Sequence, residues 1–425
     1  MARVWRALAV AVACVVSVSV RAQQVDSAPP PPGVSASLDS ARAVRGARMS
    51  VVMYTYGPGS EVFEKFGHIA LAIRDSATGE DVAFNWGMYS FEQPHFYANF
   101  LSGDTKYWMA GYRTSDFNAA YARDDRSIRM QTLFLPAIER AALFDFVAWN
   151  ATDAHKYYRY DYYRDNCATR IRDALDRVLG GQLRTAFSNP GSGRTWRGET
   201  ARITASDWPV YAGIEIALGR NADHVLTRWE EAFLPELLAN HLTSLVLRDQ
   251  FGGRFQLVMR DTMLRTTNRV PLPTEAPSRL IPAMLLGLTL AGLLAALADM
   301  QPRAARIALA TMVAVWYGVG GVLGTLLLLA ATITKHAPYM GSNTTLLQLH
   351  PLLLVAAVVV PVAVLRGVRT NAALGVSITV ALLAACGALL QLLPAFAQHS
   401  GVVLAVTLPV HAAIAVAVWR MKHVA

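Results

Sequence analysis

The sequence predicts an α+β extracytoplasmic domain, an antiparallel sheet packed on helices, followed by an all-α bundle of five transmembrane helices. Three observations carry this. The 425 residues are 53% hydrophobic and only 16% charged, too apolar for a chain that meets water throughout. From Leu280 onward, five apolar stretches at about 280–298, 307–333, 349–365, 373–393 and 401–419 each approach the length that a bilayer core demands. Before them, short β-rich runs give way to segments of helical apolar spacing.

Residues 1–22 read as a signal peptide: Arg3 and Arg6, an apolar run from Ala7 to Val20, and Val20-Arg21-Ala22 as a small-residue cleavage site before Gln23. Ala11-Val12-Ala13-Cys14 faintly resembles a lipid-attachment box, but the apolar run ahead of it is short. Residues 23–48, with Ala28-Pro29-Pro30-Pro31-Pro32-Gly33, are expected to form an extended Pro/Ser/Ala-rich tether.

The folded domain is expected over 49–200. Val51-Val52-Met53-Tyr54, His68 to Ile73 and Val82 to Trp86 are bounded by turn residues and predict an antiparallel sheet. Pro136 suits a first helical turn, and Leu143, Val147 and Ala148 continue a helix to Asn150. A second helix starts at Cys167, where Ile171, Ala174, Leu175 and Val178 recur at helical spacing before Gly180-Gly181. Residues 185–200 read as a Gly/Ser/Arg loop. Residues 201–279 read as an extension of the same domain, with helical runs such as Leu234–Val246 and a hairpin at Gly252-Gly253.

Residues 280–425 form the membrane part. Arg303 and Arg306, Arg366 and Arg369, and Arg420 and Lys422 fall in alternate connections, while the others carry only Lys335. The basic connections should be cytoplasmic, which places the N-terminal domain in the periplasm and the C-terminus in the cytoplasm of an inner-membrane, multi-pass protein. The net charge of +9 concentrates here, because 280–425 holds seven Lys/Arg against Asp299 alone. With three arginines in the signal peptide, 29 bases and 29 acids remain between, so nucleic-acid binding is not expected.

Cys167 stands in a polar stretch and Cys386 in an apolar one, so no structural disulfide is expected. At a helix N-terminus, unpaired N–H groups favour thiolate, the nucleophilic form of cysteine. Cys167 is therefore either a small buried hydrophobe or a nucleophile. His68 opens a strand on which Ile69, Leu71 and Ile73 face a core and His68, Ala70 and Ala72 the other side. It is either a packed histidine or the base for Cys167. Asn85, on the adjacent strand, is the candidate that orients its imidazole, or else a turn residue. Glu61 and Glu64 offer carboxylates, but no HExxH, CxxC or GxSxG spacing occurs. Neither a metal nor another cofactor is expected.

Phe66-Gly67-His68 on a strand, followed about a hundred residues later by Asn166-Cys167 opening a helix, resembles the circularly permuted papain-like thiol fold. Lecithin-retinol acyltransferases and bacterial cell-wall thiol peptidases are similar in this order. More closely, Gly57-Pro58-Gly59 with Glu64-Lys65-Phe66-Gly67-His68, Phe84-Asn85-Trp86-Gly87, and Asp165-Asn166-Cys167-Ala168-Thr169-Arg170 resemble the periplasmic domain of the Lnb-type bacterial lipoprotein N-acyltransferases. Thr334, His336, Asn343, Leu346-Leu347 and Pro351 are similar to that family's outward-facing loop, with Thr345 where a second asparagine is expected. The resemblance implies transfer of a fatty acyl chain from phospholipid to the N-terminal amine of a lipoprotein, through a thioester on Cys167 with His68 as base. It implies supporting or oxyanion roles for the Cys167 backbone N–H, Asn166, Tyr56 and Glu64, and a membrane-side role for His336 and Asn343. The rivals are a periplasmic thiol peptidase or amidase acting on cell-wall peptides, and a non-enzymatic membrane-anchored module.

Overall fold

The computed structural model describes residues 36–249 and 252–422, and the expected signal peptide and proline run lie outside them. The chain divides into two units. Among the described residues, one comprises 36–207 and 225–274 and the other 208–224 and 275–422.

In the first unit, alternation along three neighbouring strands separates two kinds of surface. Strands β1 (Met49–Tyr56), β2 (His68–Asp75) and β3 (Asp81–Met88) pair antiparallel, with Tyr56 opposite His68 and Leu71 opposite Phe84. They are joined by β4 (Lys106–Arg113), β5 (Ile128–Leu133), β6 (Tyr157–Arg159) and β7 (Val258–Arg265) in a seven-stranded sheet of order β6-β4-β3-β2-β1-β5-β7. Val51, Met53, Ile69, Leu71, Ile73, Phe84 and Trp86 share one core with Leu143 and Val147 of a helix over Ala137–Asn150, and with Ile171, Ala174 and Leu175 of a helix over Cys167–Val178. Each of the larger aliphatic side chains and Phe84 contributes roughly 1.5–3 kcal/mol through burial. Trp86 is accommodated there because its indole N–H donates to Asn150 Oδ1 at 2.7 Å. On the opposite face, Tyr54, Tyr56, Ala70, Ala72 and Ala83 cluster with Phe117 and Tyr121 of a helix over Thr114–Arg123. The alternation expected for β2 is therefore present.

Two expectations change. Ala36–Ala47 is helical rather than extended, held where Arg42 and Arg45 pair with Asp145 at 3.3 and 2.5 Å. Its alanine-rich sequence follows the last proline and favours helix. Within 185–200, Trp196 begins a helix to Ile203, capped by Thr195 Oγ1 accepting the Gly198 N–H at 2.9 Å. Trp196, Thr200 and Ile203 supply its buried face. Val246–Arg248 pairs with Arg254–Gln256 as the Gly252-Gly253 hairpin predicted.

Among the described residues, the second unit contains five helices long and apolar enough to cross a bilayer: Leu280–Asp299, Arg303–Ile333, Thr344–Arg366 including its leading turn, Asn371–Leu390 and Gly401–Arg420. Small residues set their spacing. A Cβ at Gly324 would lie 2.3 Å from the Leu349 carbonyl carbon, and one at Gly287 2.3 Å from the Ala405 oxygen, so both positions exclude a side chain. Cβ positions at Gly320 and Gly321 also meet Leu353 and Leu354, whereas Gly318 faces open space. Gln348 ties helices together by donating to the Ala384 carbonyl at 2.9 Å and accepting from Thr407 at 3.0 Å.

Residues 201–279 are not one extension. Trp208–His224 belongs to the membrane unit. Asn343 Nδ2 donates to the carbonyls of Ile216 and Ala217 at 3.0 and 3.1 Å, Gln398 Nε2 donates to that of Leu218 at 3.3 Å, and the Gly219 N–H donates to the Tyr339 carbonyl at 2.7 Å. A Cβ at Gly219 would stand 2.0 Å from the Gly341 oxygen.

Candidate active site

The position of Cys167 is fixed by the residue before it. Asn166 is the N-cap: its Oδ1 accepts the N–H groups of Ala168 and Thr169 at 2.9 and 3.0 Å, and its own N–H donates to Thr169 Oγ1 at 2.7 Å. Its Nδ2 donates to the carbonyls of Tyr162 and Phe233, both at 2.9 Å. The cap thus joins the tyrosine segment, the helix and residue 233, and sets Cys167 as the first helical residue. Asp165 pairs with Arg170 just outside it.

Gly87 brings thiol and imidazole together. It has φ +100°, at a register shift between Trp86 and Met88. A Cβ built there would lie 3.7 Å from both Cys167 Cβ and His68 Cε1, so those two atoms are no more than twice that distance apart. The same point is 4.0 Å from Tyr160 Cε2. The backbone N–H groups of Ala168, of Ile69, the residue after His68, and of Cys167 itself favour the thiolate form of Cys167.

Asn85 is fully buried and donates from Nδ2 to the Ala110 carbonyl at 3.1 Å, which turns its oxygen toward His68 Nε2 at 3.4 Å. Because an amide oxygen only accepts, Nε2 carries the hydrogen and Nδ1 is the basic atom. The imidazole stacks against Tyr121, centroids 5.9 Å apart and planes 8° apart, with Tyr56 at 6.4 Å and Phe117 at 6.3 Å.

Burial decides the charges. It pushes the Cys167 thiol up to about 12 against the opposing pull of the three backbone N–H groups and Arg126. It lowers His68 to about 4, assisted by the Arg126 charge and opposed by the Asn85 hydrogen bond. The resting pair is neutral thiol and neutral imidazole.

The other candidates are placed differently. The Tyr56 hydroxyl donates to Asn118 Oδ1 at 2.7 Å, so its hydrogen is engaged on the aromatic side of the sheet. Glu64 belongs to the Gly57-Pro58-Gly59 segment: its carbonyl accepts the Gly59 N–H at 3.0 Å and its carboxylate stands 3.7 Å from Arg126 Nη1. His336 and Asn343 lie in the membrane unit. His336 is buried there. The Oδ1 of Asn343 accepts from the Thr345 N–H and Gln398 Nε2 at 3.0 and 2.9 Å, and its Nδ2 is committed to the 216–217 carbonyls, which makes Asn343 a fastener. Thr345 occupies its place as a buried residue whose hydroxyl accepts from Gln398 at 3.3 Å. Sequence reasoning missed Tyr160, Tyr121 and Arg126. Gly87 stood inside a quoted motif without a role.

Residues 38–199 match the family model of the Lnb N-terminal periplasmic domain, and residues 275–422 match that of the Lnb transmembrane domain. The chain belongs to the Lnb family. It is accordingly a multi-pass membrane protein with a periplasmic N-terminal domain. The first Lnb match contains His68, Asn85, Asn166 and Cys167, and the second contains Asn343 and Gln398; the excursion over 208–224 falls between them. No curated protein and no solved structure matches the chain significantly.

Proposed function

We propose that this protein is a membrane-bound thiol acyltransferase that moves a fatty acyl chain from phospholipid to the N-terminal amine of lipoproteins through an acyl-Cys167 intermediate. The observation that carries the reading is the convergence of Cys167 and His68 on the space left by Gly87, with Asn85 at the His68 imidazole, within a membrane-anchored chain of the Lnb family. His68 Nδ1 takes the thiol proton as sulfur attacks the ester carbonyl. Collapse of the tetrahedral adduct breaks the ester C–O bond, and the imidazolium returns that proton to the departing lysophospholipid alkoxide. The acceptor amine then attacks the thioester carbonyl. His68 removes the amine proton and delivers it to the leaving thiolate, which restores the neutral pair. The backbone N–H groups around the sulfur supply donors for the oxyanion. Asn85 holds the imidazole, and Asn166 holds the helix that presents the thiol. The alternating basic loops support a cytoplasmic C-terminus.

The test is mass spectrometry of lipoprotein N-termini in cells that lack their own N-acyltransferase and carry either the wild-type protein or Cys167→Ala. An acyl mass on the α-amine with wild type, absent with Cys167→Ala, is the expected result. Exported, folded wild-type protein that leaves every α-amine free would refute transfer and return the site to a hydrolase or a structural role.

A further inference from the structure

A guanidinium removed from water requires acceptors for its N–H groups, because an uncompensated buried charge costs several kcal/mol. Arg126 is only 4% exposed. It follows Asp125, whose φ of +47° turns the chain between the Thr114–Arg123 helix and β5. Its Nε donates to the Gly57 carbonyl at 2.7 Å, and its Nη1 stands 3.7 Å from Glu64 Oε1, beyond hydrogen-bonding distance. Its Cζ lies 4.6 Å from the centre of the Tyr121 ring. Nη2 is buried and meets no acceptor.

This cation belongs to the catalytic neighbourhood. The Tyr121 ring that supports Arg126 also stacks at 5.9 Å on the His68 imidazole. The Gly57-Pro58-Gly59 segment that receives Nε continues directly from β1, where Tyr56 pairs with His68. Glu64 tempers the charge without occupying Nη2. The arrangement is that of a buried guanidinium paired with Glu64 at Nη1 but with no acceptor at Nη2, beside a thiol that must receive an ester.

Resting on the acyltransferase reading above, we propose that Arg126 Nη2 receives a phosphodiester oxygen of the acyl donor, which makes Arg126 the residue that selects a glycerophospholipid over a neutral diacylglycerol. In a glycerophospholipid the phosphate is only a few bonds from the ester carbonyls, so one molecule can meet Cys167 and Arg126 together. A planar guanidinium already fixed at Nε offers its remaining N–H groups to phosphate without further ordering. The oxyanion of the tetrahedral adduct is the other anion that could use Nη2, but it forms equally from charged and neutral donors.

The experiment uses the full-length protein in detergent micelles and follows the acyl mass on Cys167. Phosphatidylglycerol and diacylglycerol of identical chains serve as donors for wild type, Arg126→Gln and Arg126→Lys. The readout is the ratio of the two acylation rates within each variant, which cancels any misfolded fraction. Wild type is expected to favour phosphatidylglycerol, the ratio falling about tenfold in Arg126→Gln and less in Arg126→Lys, as befits loss of a hydrogen bond to a charged group. A ratio unchanged in Arg126→Gln would overturn the proposal in favour of a structural arginine. Parallel loss with both donors would overturn it in favour of a role in the oxyanion or the thiol. If wild type takes an acyl group from neither donor, the acyltransferase reading itself falls and the proposal with it; acylation without donor preference sinks Arg126 alone.

Discussion

A thiol held near 12 and an imidazole held near 4 keep their own protons at rest, so in the proposed mechanism base catalysis would occur as the carbonyl is attacked, without a preformed ion pair. This has a consequence in pH. As the proposed base, His68 would work only while neutral, and its depressed value keeps it neutral well below the ordinary 6.5. The acid limb of kcat/KM for Cys167 acylation is therefore expected near pH 4, activity falling as pH drops through that value. A limb at pH 6–7 in the pH–rate profile would contradict the buried neutral pair. The residues of this pair were legible in the sequence because a lone cysteine at a helix start and a histidine at a strand start each have few physical explanations. Arg126 was not. It stands in an Asp-Asp-Arg run with the composition of a solvated turn, and only its burial and bare Nη2 distinguish it.

Among the elements, the helix over Cys167–Val178 depends most visibly on a single side chain. Asn166 accepts two N–H groups at the helix start and donates to two carbonyls from separate segments. Asn166→Ala forfeits the cap and leaves buried carbonyls unpaired, an expected loss on the order of 2–3 kcal/mol in the periplasmic unit. Chemical denaturation of the purified protein, followed by signals from that unit, measures it. Asn166→Asp keeps the acceptors and loses the two donors, so it should fall between wild type and alanine. An alanine variant as stable as wild type would show that the helix start is held by something else. The helices at 137 and 167 were legible because their apolar residues fall on one face. Strand β4 was not, because Tyr107, Trp108, Met109 and Tyr112 put large side chains on both faces and erase the alternation. The helix at Trp196 was hidden among Gly, Ser and Arg residues that read as a loop.

For the whole molecule, the five spans could be read directly, since length and hydropathy suffice for a helix in lipid. The division of 201–279 could not. The partners of Ile216, Ala217 and Leu218 are Asn343 and Gln398, far along the sequence, and nothing in Trp208–Ala217 announces them. A protein ended at Thr274 would keep the apolar 208–217 helix and lose the groups that satisfy its carbonyls. It is expected to aggregate, or to need detergent, on size-exclusion chromatography. A monodisperse, detergent-free monomer would show that 208–224 is stable without the membrane helices.

The same excursion imposes an order on biosynthesis. The chain emerges from the ribosome N-terminus first, so Trp208–His224 is made well before Tyr339, Asn343 and Gln398, the residues that dock it. The segment must wait, undocked, until the connections ahead of the third and fifth spans have been made. Its docking partners all precede the last span, Gly401–Arg420, so the segment can close its hydrogen bonds once residue 398 has been delivered, joining early residues to late ones.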